Sequence, residues 1–248
     1  MKNILYILLI FAQTFWAQSD FETGNSFYAK ENYKEAIQSY ENIINSGKQS
    51  ADVYFNLGNC YYKLHQVAPA VYNYEKALLL NPNDSEIKTN LEFARKMTID
   101  DIKVIPKVGF HKIVADFTST YHYDTWAWIA VGLAFLFFVF FLGYYFSGTT
   151  TKKRIFFSGM FFVLLAIIFS VFSGIFERDR MLNERPAIVF AESTSLKSEP
   201  KISASETVLL HEGTKVYVLE SIANWKKVQL TDETTGWLQS DSIKEIKN

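Results

Sequence analysis

ADVYFNLGNCYYKLHQVAPAVYNYEKALLLNPND, residues 51–84, decides how the first third of this chain folds. It repeats an earlier pattern of large and small residues: Gly24, Phe27, Ala36 and Tyr40 return 34 residues later as Gly58, Tyr61, Ala70 and Tyr74. The later unit adds Tyr54, Leu57, Ala77 and Pro82. Apolar positions at helical spacing predict two successive helix pairs. A glycine inside a helix costs about 1 kcal/mol relative to alanine. Gly24 and Gly58 therefore imply that the paired helix packs close, with Ala36 and Ala70 opposite, while Phe27, Tyr40, Tyr61 and Tyr74 fill the space between helices. Pro82 stops the second helix of the later pair. Asp84 or Ser85 can cap a further helix, in which Ile87, Leu91 and Ala94 fall at helical spacing. That helix suits the solvating end-cap that stacked arrays need.

A helix–turn–helix period of this length and residue pattern resembles the tetratricopeptide repeat. The resemblance runs along all of residues 51–84, and residues 18–97 read as two repeats plus a capping helix. His65 stands in the inter-helix turn where the family has glycine, and histidine tolerates a left-handed backbone better than most residues. Pro69 falls in the first turn of its helix, where a missing N–H costs little. Cys60 holds a position that favours alanine, which suits a packed small thiol. The family implies a peptide laid along the concave face of the first helices. The matching positions are Phe21, Asn25 and Tyr28, then Phe55, Asn59, Tyr62 and Lys63. The family's clamp for a C-terminal carboxylate needs two asparagines and several cations. Asn25 and Asn56 match the asparagines, but Phe21, Glu86 and Asn90 stand where the cations belong. Without those charges a carboxylate is not held strongly.

Beyond the repeats the composition turns apolar. The chain is 49% hydrophobic and 17% aromatic, with net charge −1 over 248 residues. Trp126 to Phe146 is 21 residues without a charge, and Ile155 to Phe176 is 22 more. About 20 apolar residues cross a bilayer core as a helix, so transmembrane helices are expected over 125–146 and 155–176. The alternative, a pair of buried helices in a soluble core, lacks enough other sequence to cover them. Trp126 and Trp128 suit an interfacial anchor, and Ala166, Ser170 and Gly174 form a small-residue stripe that lets the two helices approach. The linker 98–124 contains FHKIVADF, either an interfacial helix or one packed on the repeats.

Orientation follows from two signals. Residues 1–17 resemble a secretory signal peptide, with Lys2 ahead of an apolar run from Ile4 to Ala12; an uncleaved anchor is the alternative. Export places the repeats outside the cytoplasm, so the loop 147–154 returns to it, and its Lys152, Lys153 and Arg154 agree with the positive-inside rule. Residues 177–187 then link to the last module. Both flanks are thereby expected in the periplasm of a bacterial inner membrane.

From Pro186 the pattern shifts to short runs, AIVFA, ETVLL, KVYVLES, WKKVQL and GWLQ, separated by turn residues, which predicts a small all-β barrel. Gly213 before a valine-rich strand, Trp225 leading the next, and the Gly236-Trp237 pair resemble a bacterial SH3-like domain over 188–247. Such domains imply a peptide or cell-wall peptide in an aromatic groove, to which Tyr217 or Trp237 would contribute; either ring can equally be core.

The fold class expected is thus a multidomain membrane protein: an all-α repeat array, two transmembrane helices and a C-terminal SH3-like barrel. Cys60 is the only cysteine, which excludes an intrachain disulfide and a two-cysteine redox motif. Near-zero net charge without a basic stripe argues against nucleic acid. His65, His111, His122 and His211 are scattered, and no metal-ligand spacing, nucleophile elbow or phosphate loop is present, so no metal, no cofactor and no enzyme activity are expected. The order of modules resembles the BatE proteins of Bacteroidetes aerotolerance (Bat) operons. That resemblance implies a membrane-held adaptor whose partners are other Bat-operon membrane proteins. The competing expectation is a cell-wall sensor whose SH3-like module binds peptidoglycan while the repeats recruit a wall enzyme.

Overall fold

The computed structural model of the chain describes residues 20–103 and 109–247. The signal-like segment 1–17 and Pro106 of the linker lie outside the described residues. The repeat region forms α1 (residues 20–29), α2 (Tyr33–Asn45), α3 (Ala51–Lys63), α4 (Val67–Leu80) and α5 (Ser85–Arg95). Local chemistry fixes their ends. The Ser50 hydroxyl accepts from the Val53 amide at 3.2 Å, and an Asp84 oxygen accepts from Glu86 and Ile87 at 2.9 and 3.1 Å, satisfying first-turn donors that the helices leave unpaired. Both inter-helix turns pass through the left-handed region, at Glu31 (φ 62°) and His65 (φ 56°), again 34 residues apart.

The nearest neighbours of the two glycines are rings, where alanines were expected. A Cβ at Gly58 would stand 2.7 Å from the Tyr74 ring, and one at Gly24 would stand 2.5 Å from the Tyr40 ring. Both tyrosines are fully buried, so a ring from the second helix fills the space that each glycine leaves. Ala36, Cys60, Ala70 and Ala77 complete this core without exposure.

The C-terminal strands are β1 (Pro186–Val189), β2 (Ser193–Lys197), β3 (Glu206–His211), β4 (Lys215–Ile222), β5 (Trp225–Gln229), β6 (Thr235–Gln239) and β7 (Ile243–Glu245). They form one antiparallel sheet in the order β3-β2-β6-β5-β4-β1-β7. The sheet is not closed into a barrel, in contrast to the expectation. Its β1–β7 edge is instead turned to α4: Ile188 and Ile246 are buried in the same core as Tyr72 and Val71. Alternate residues of β1 serve two cores, since Ala187 and Val189 pack with Val216, Val228 and Leu238 inside the sheet. A strand buried on both faces reads as an unbroken apolar run, which is what PAIV shows.

Among the described residues, sheet and repeats together form one compact unit, 20–103 with 185–247. Polar groups lock the junction. The Glu75 carboxylate of α4 accepts from Arg95 at 2.5 Å and from Lys215 of β4 at 2.7 Å. Burial pushes this carboxyl up, but the two cations and their hydrogen bonds outweigh it and hold it below the ordinary range. Asp100 accepts from the His211 backbone amide at 2.7 Å and from the Thr214 hydroxyl at 2.5 Å, and its other oxygen meets the His211 ring at 2.7 Å. Gly213, at φ 86°, lets the β3–β4 turn approach Val67 and Thr98, whose methyls stand 2.8 Å from where a Cβ would project.

The second unit, residues 109–184 of the described chain, contains α6 (Phe110–Thr118), α7 (Tyr123–Phe146) and α8 (Thr150–Asn183). α7 and α8 are long and apolar enough to cross a membrane. The Ser170 hydroxyl donates to the Trp126 carbonyl at 2.8 Å, and Gly174 lies against the Trp126 side chain, so the small-residue stripe does face the first long helix. Two boundaries differ from expectation. The connection between the helices is only residues 147–149, because Thr150 to Arg154 contains no glycine or proline and enters α8. At its other end α8 continues through 177–183, where Glu177 accepts two hydrogen bonds from Arg180, three residues on. At 34 residues α8 is about 51 Å long, well beyond a hydrocarbon core of about 30 Å. α6 packs on α8 within this unit, with Phe117 against Trp126 and Phe169.

Candidate functional site

The first helices α1, α3 and α5 line up the expected peptide face. Asn25 accepts from the Tyr40 hydroxyl at 2.7 Å and from the Asn56 amide at 3.0 Å. One repeat later, Asn59 accepts from the Tyr74 hydroxyl at 2.7 Å and from the Asn90 amide at 2.9 Å. This ladder has the 34-residue period of the sequence, and it ties each first helix both to its own second helix and to the next first helix. Burial, the dominant cause, pushes the Tyr40 and Tyr74 hydroxyls well above their usual range, so both remain protonated donors. The carbonyl oxygens of Asn25 and Asn59 are thus engaged in holding the stack together. The two asparagines matched to the carboxylate clamp, Asn25 and Asn56, are bonded to each other.

The aromatic positions behave differently. Phe21 and Phe55 each lean on a buried tyrosine, with ring centroids 5.9 Å from Tyr40 and 6.0 Å from Tyr74, yet both remain partly exposed. They share a cleft of about 280 Å³ with Asp52, Asn56, Asp84 and Glu86. Where a carboxylate clamp would be cationic, this cleft is acidic. Tyr28 packs edge-on to Tyr33 at 5.4 Å, and Tyr62 is half-buried on α3. Lys63 is exposed in the last turn of α3 and does not line the cleft.

In the sheet, the two groove candidates do not come together. Trp237 is buried at 8% exposure on β6, which makes it a packing residue. Tyr217 is half-exposed on β4 beneath the Lys215 ammonium, 5.7 Å from its ring centroid. It lines a cleft of about 410 Å³ with Arg95, Asp100 and Thr214. The residues that shape this cleft come from both the repeats and the sheet, and local sequence patterning gave no sign of them.

Comparison with known proteins agrees with the repeat reading. A tetratricopeptide repeat model matches residues 51–84, and a second TPR repeat model matches residues 24–65. Sperm-associated antigen 1 of Rattus norvegicus is 32% identical over 75 residues, which is 30% of this chain and 8% of that relative. The likeness is therefore one of a repeat segment within a far longer protein. Repeats of this kind imply a protein–protein interaction role.

Proposed function

We propose that the chain is a non-enzymatic, membrane-held adaptor that binds a protein segment along the first-helix face of its repeats. The observation that carries this reading is the division of faces. The sheet occupies α4, a second helix, and leaves α1, α3 and α5 with Phe21, Phe55, Tyr28 and Tyr62 partly open. The acidic cleft suits a segment with apolar and basic side chains, and not a free carboxylate. That residues before and after α7 and α8 build one compact unit supports a topology in which two crossings return the chain to the side it left. The signal-like start and the Lys152–Arg154 cluster support the reading that this side is the periplasm of a bacterial inner membrane. Resemblance in module order to the BatE proteins makes a Bat complex, serving aerotolerance or envelope stress, the proposed setting, with the C-terminal sheet as its SH3-like module.

Crosslinking in native membranes, followed by identification of what the repeats hold, tests the reading. Aromatic anchors contribute roughly 2 kcal/mol or more each when truncated, so Phe55→Ala with Tyr62→Ala should abolish co-purification while the circular dichroism spectrum stays unchanged. Retained capture by the folded double variant would overturn the groove. A periplasm-only reporter should be active after Asn248 and inactive at Gly148. If muropeptides bind the full chain while no protein is captured, the cell-wall sensor replaces the adaptor.

A further inference from the structure

The short helix α6 and the turn after it close over one end of the α7–α8 hairpin. The Trp126 indole N–H donates to the Thr118 carbonyl at 2.9 Å, one of the last carbonyls that α6 leaves unpaired. A buried indole needs such a partner, so this bond pins the end of α6 to the first turn of α7. Phe117 closes on Trp126 at 5.6 Å and on Phe169 of α8 at 5.2 Å, and Tyr121 meets Trp126 edge-on at 5.5 Å. The level of this cluster along the hairpin follows from the helix pairing. Ser170, next to Phe169, donates to the Trp126 carbonyl, while at the far end Gly143 lies against Phe156. From Trp126 to Gly143 α7 rises about 26 Å, close to a hydrocarbon core of about 30 Å. α6 therefore meets the hairpin at one edge of its apolar span.

The helix is two-sided. Thr118 is buried and Val114 and Ala115 are half-buried, whereas Ile113 is 67% and Phe117 48% exposed. Ile113 and Phe117 are four residues apart and so share a face. On α8, Phe162, Leu165 and Phe169 form an exposed apolar row at helical spacing, and Phe117 rests on the last of them. The open edge of α6 thus continues the outer surface of α8, and what covers the one covers the other. Lys112 and Asp116, exposed and also four apart, form a separate polar strip. A helix with such faces at such a level lies in the interface plane, its apolar side at the acyl boundary. We propose that α6 binds the membrane surface itself, with Ile113 and Phe117 set among the upper acyl chains and Lys112 and Asp116 among the headgroups. The inference rests on the membrane crossing proposed above. Since Lys112 and Asp116 balance in charge, a neutral phospholipid is sufficient.

The test uses the full chain in phosphatidylcholine nanodiscs. Cys60 is the only cysteine, so a Cys60→Ala background accepts one bimane label at a time, at Ile113→Cys, Asp116→Cys or Phe162→Cys. Quenching is read with lipids carrying a doxyl group near the headgroup or deep in the chain, and with aqueous iodide. The label at 113 should be quenched more by the shallow doxyl than by the deep one, and by iodide at least threefold less than the label at 116. The label at 162, in the middle of α8, should respond most to the deep doxyl. Equal iodide quenching at 113 and 116 overturns the proposal, because water then covers the edge. Protection of 113 from iodide without doxyl quenching also overturns it, because protein then covers the edge. Both results leave the membrane crossing standing as long as 162 reports the deep doxyl. Loss of the deep signal at 162 overturns the crossing and this inference together.

Discussion

Replacing Glu75 by glutamine tests how firmly the sheet is held to the repeats. Glutamine keeps the shape, but its NH2 group must face one of the two cations, donor against donor. Breaking a buried ion pair costs about 3–5 kcal/mol when the stranded charge cannot reach water. Here the partners differ: the side chain of Arg95 is 47% exposed and that of Lys215 is 23% exposed, against 9% for Glu75. Arg95 re-solvates easily, so its share is that of a surface pair, below about 1 kcal/mol. Lys215 carries most of the loss, as a hydrogen bond to a charged group of about 1.5–3 kcal/mol. The sum is about 2–3 kcal/mol, which in a unit of this size lowers the melting temperature by roughly 5–10 °C.

Thermal unfolding of the full chain in micelles reads the total, and hydrogen exchange reads the place: β1 and β4 should exchange faster while α2 does not. Acid supplies an independent check. Glu75 is held below its ordinary 4.5, so it stabilises the fold fully above that value, and the contribution is lost as pH falls through the lower folded midpoint. The gap between wild type and Glu75→Gln should therefore be widest at neutral pH and close in acid. Asp100, depressed below 3.8, keeps its own acid dependence in both proteins. A shift under about 1 °C, or a larger effect from Arg95→Gln than from Lys215→Gln, would refute the reasoning.

Gly58→Ala should destabilise the protein by about 1–2 kcal/mol, because overpacking against the Tyr74 ring exceeds the helix-propensity gain of about 1 kcal/mol. In a Tyr74→Val background the same change should be neutral or favourable; equal cost in both backgrounds would show that the ring is not the obstacle. Cys60 is fully buried and its thiol is pushed up to about 12 by burial, so iodoacetamide at pH 8 should label it only after unfolding, and Cys60→Ala should leave partner capture intact.

Those parts of the fold that rest on local spacing were legible in the sequence. A 34-residue period, a capping aspartate, a left-handed His65 and uncharged runs long enough to span a bilayer all leave their mark within a few turns of chain. Lys215 and Glu75 are 140 residues apart, and Asp100 and His211 are 111 apart; such pairs impose no period and so leave no mark on local spacing. One signal existed. The run AIVF was read with the alternating strands, but it does not alternate, and unbroken apolarity marks a strand covered on both sides. That cover is α4, and it explains both the open sheet and the docking. On the first-helix face, the positions of the aromatics follow the repeat period, whereas the bonds of Asn25 and Asn59 to tyrosines of the second helices and to the next first helix do not show in the spacing. Which partner an asparagine's oxygen finds depends on the next repeat, and no single repeat encodes it.

The docked sheet also answers a problem of size. Stacked repeats bury a continuous core only when neighbours cover each end, and about three are needed for stability. Two repeats and α5 fall short of that, and the second helices would expose Val71 and Tyr72 to water. Ile188 and Ile246 cover that flank, and the T-shaped contact of Phe190 with Tyr72, at 5.6 Å, extends the cover. The sheet thus does laterally what further repeats would do along the stack. The flank of α4 is thus covered by residues from 185–247, although the other unit lies between Lys103 and Arg185 in the chain. The first-helix face of the repeats and the sheet docked behind it thereby belong to one compact unit.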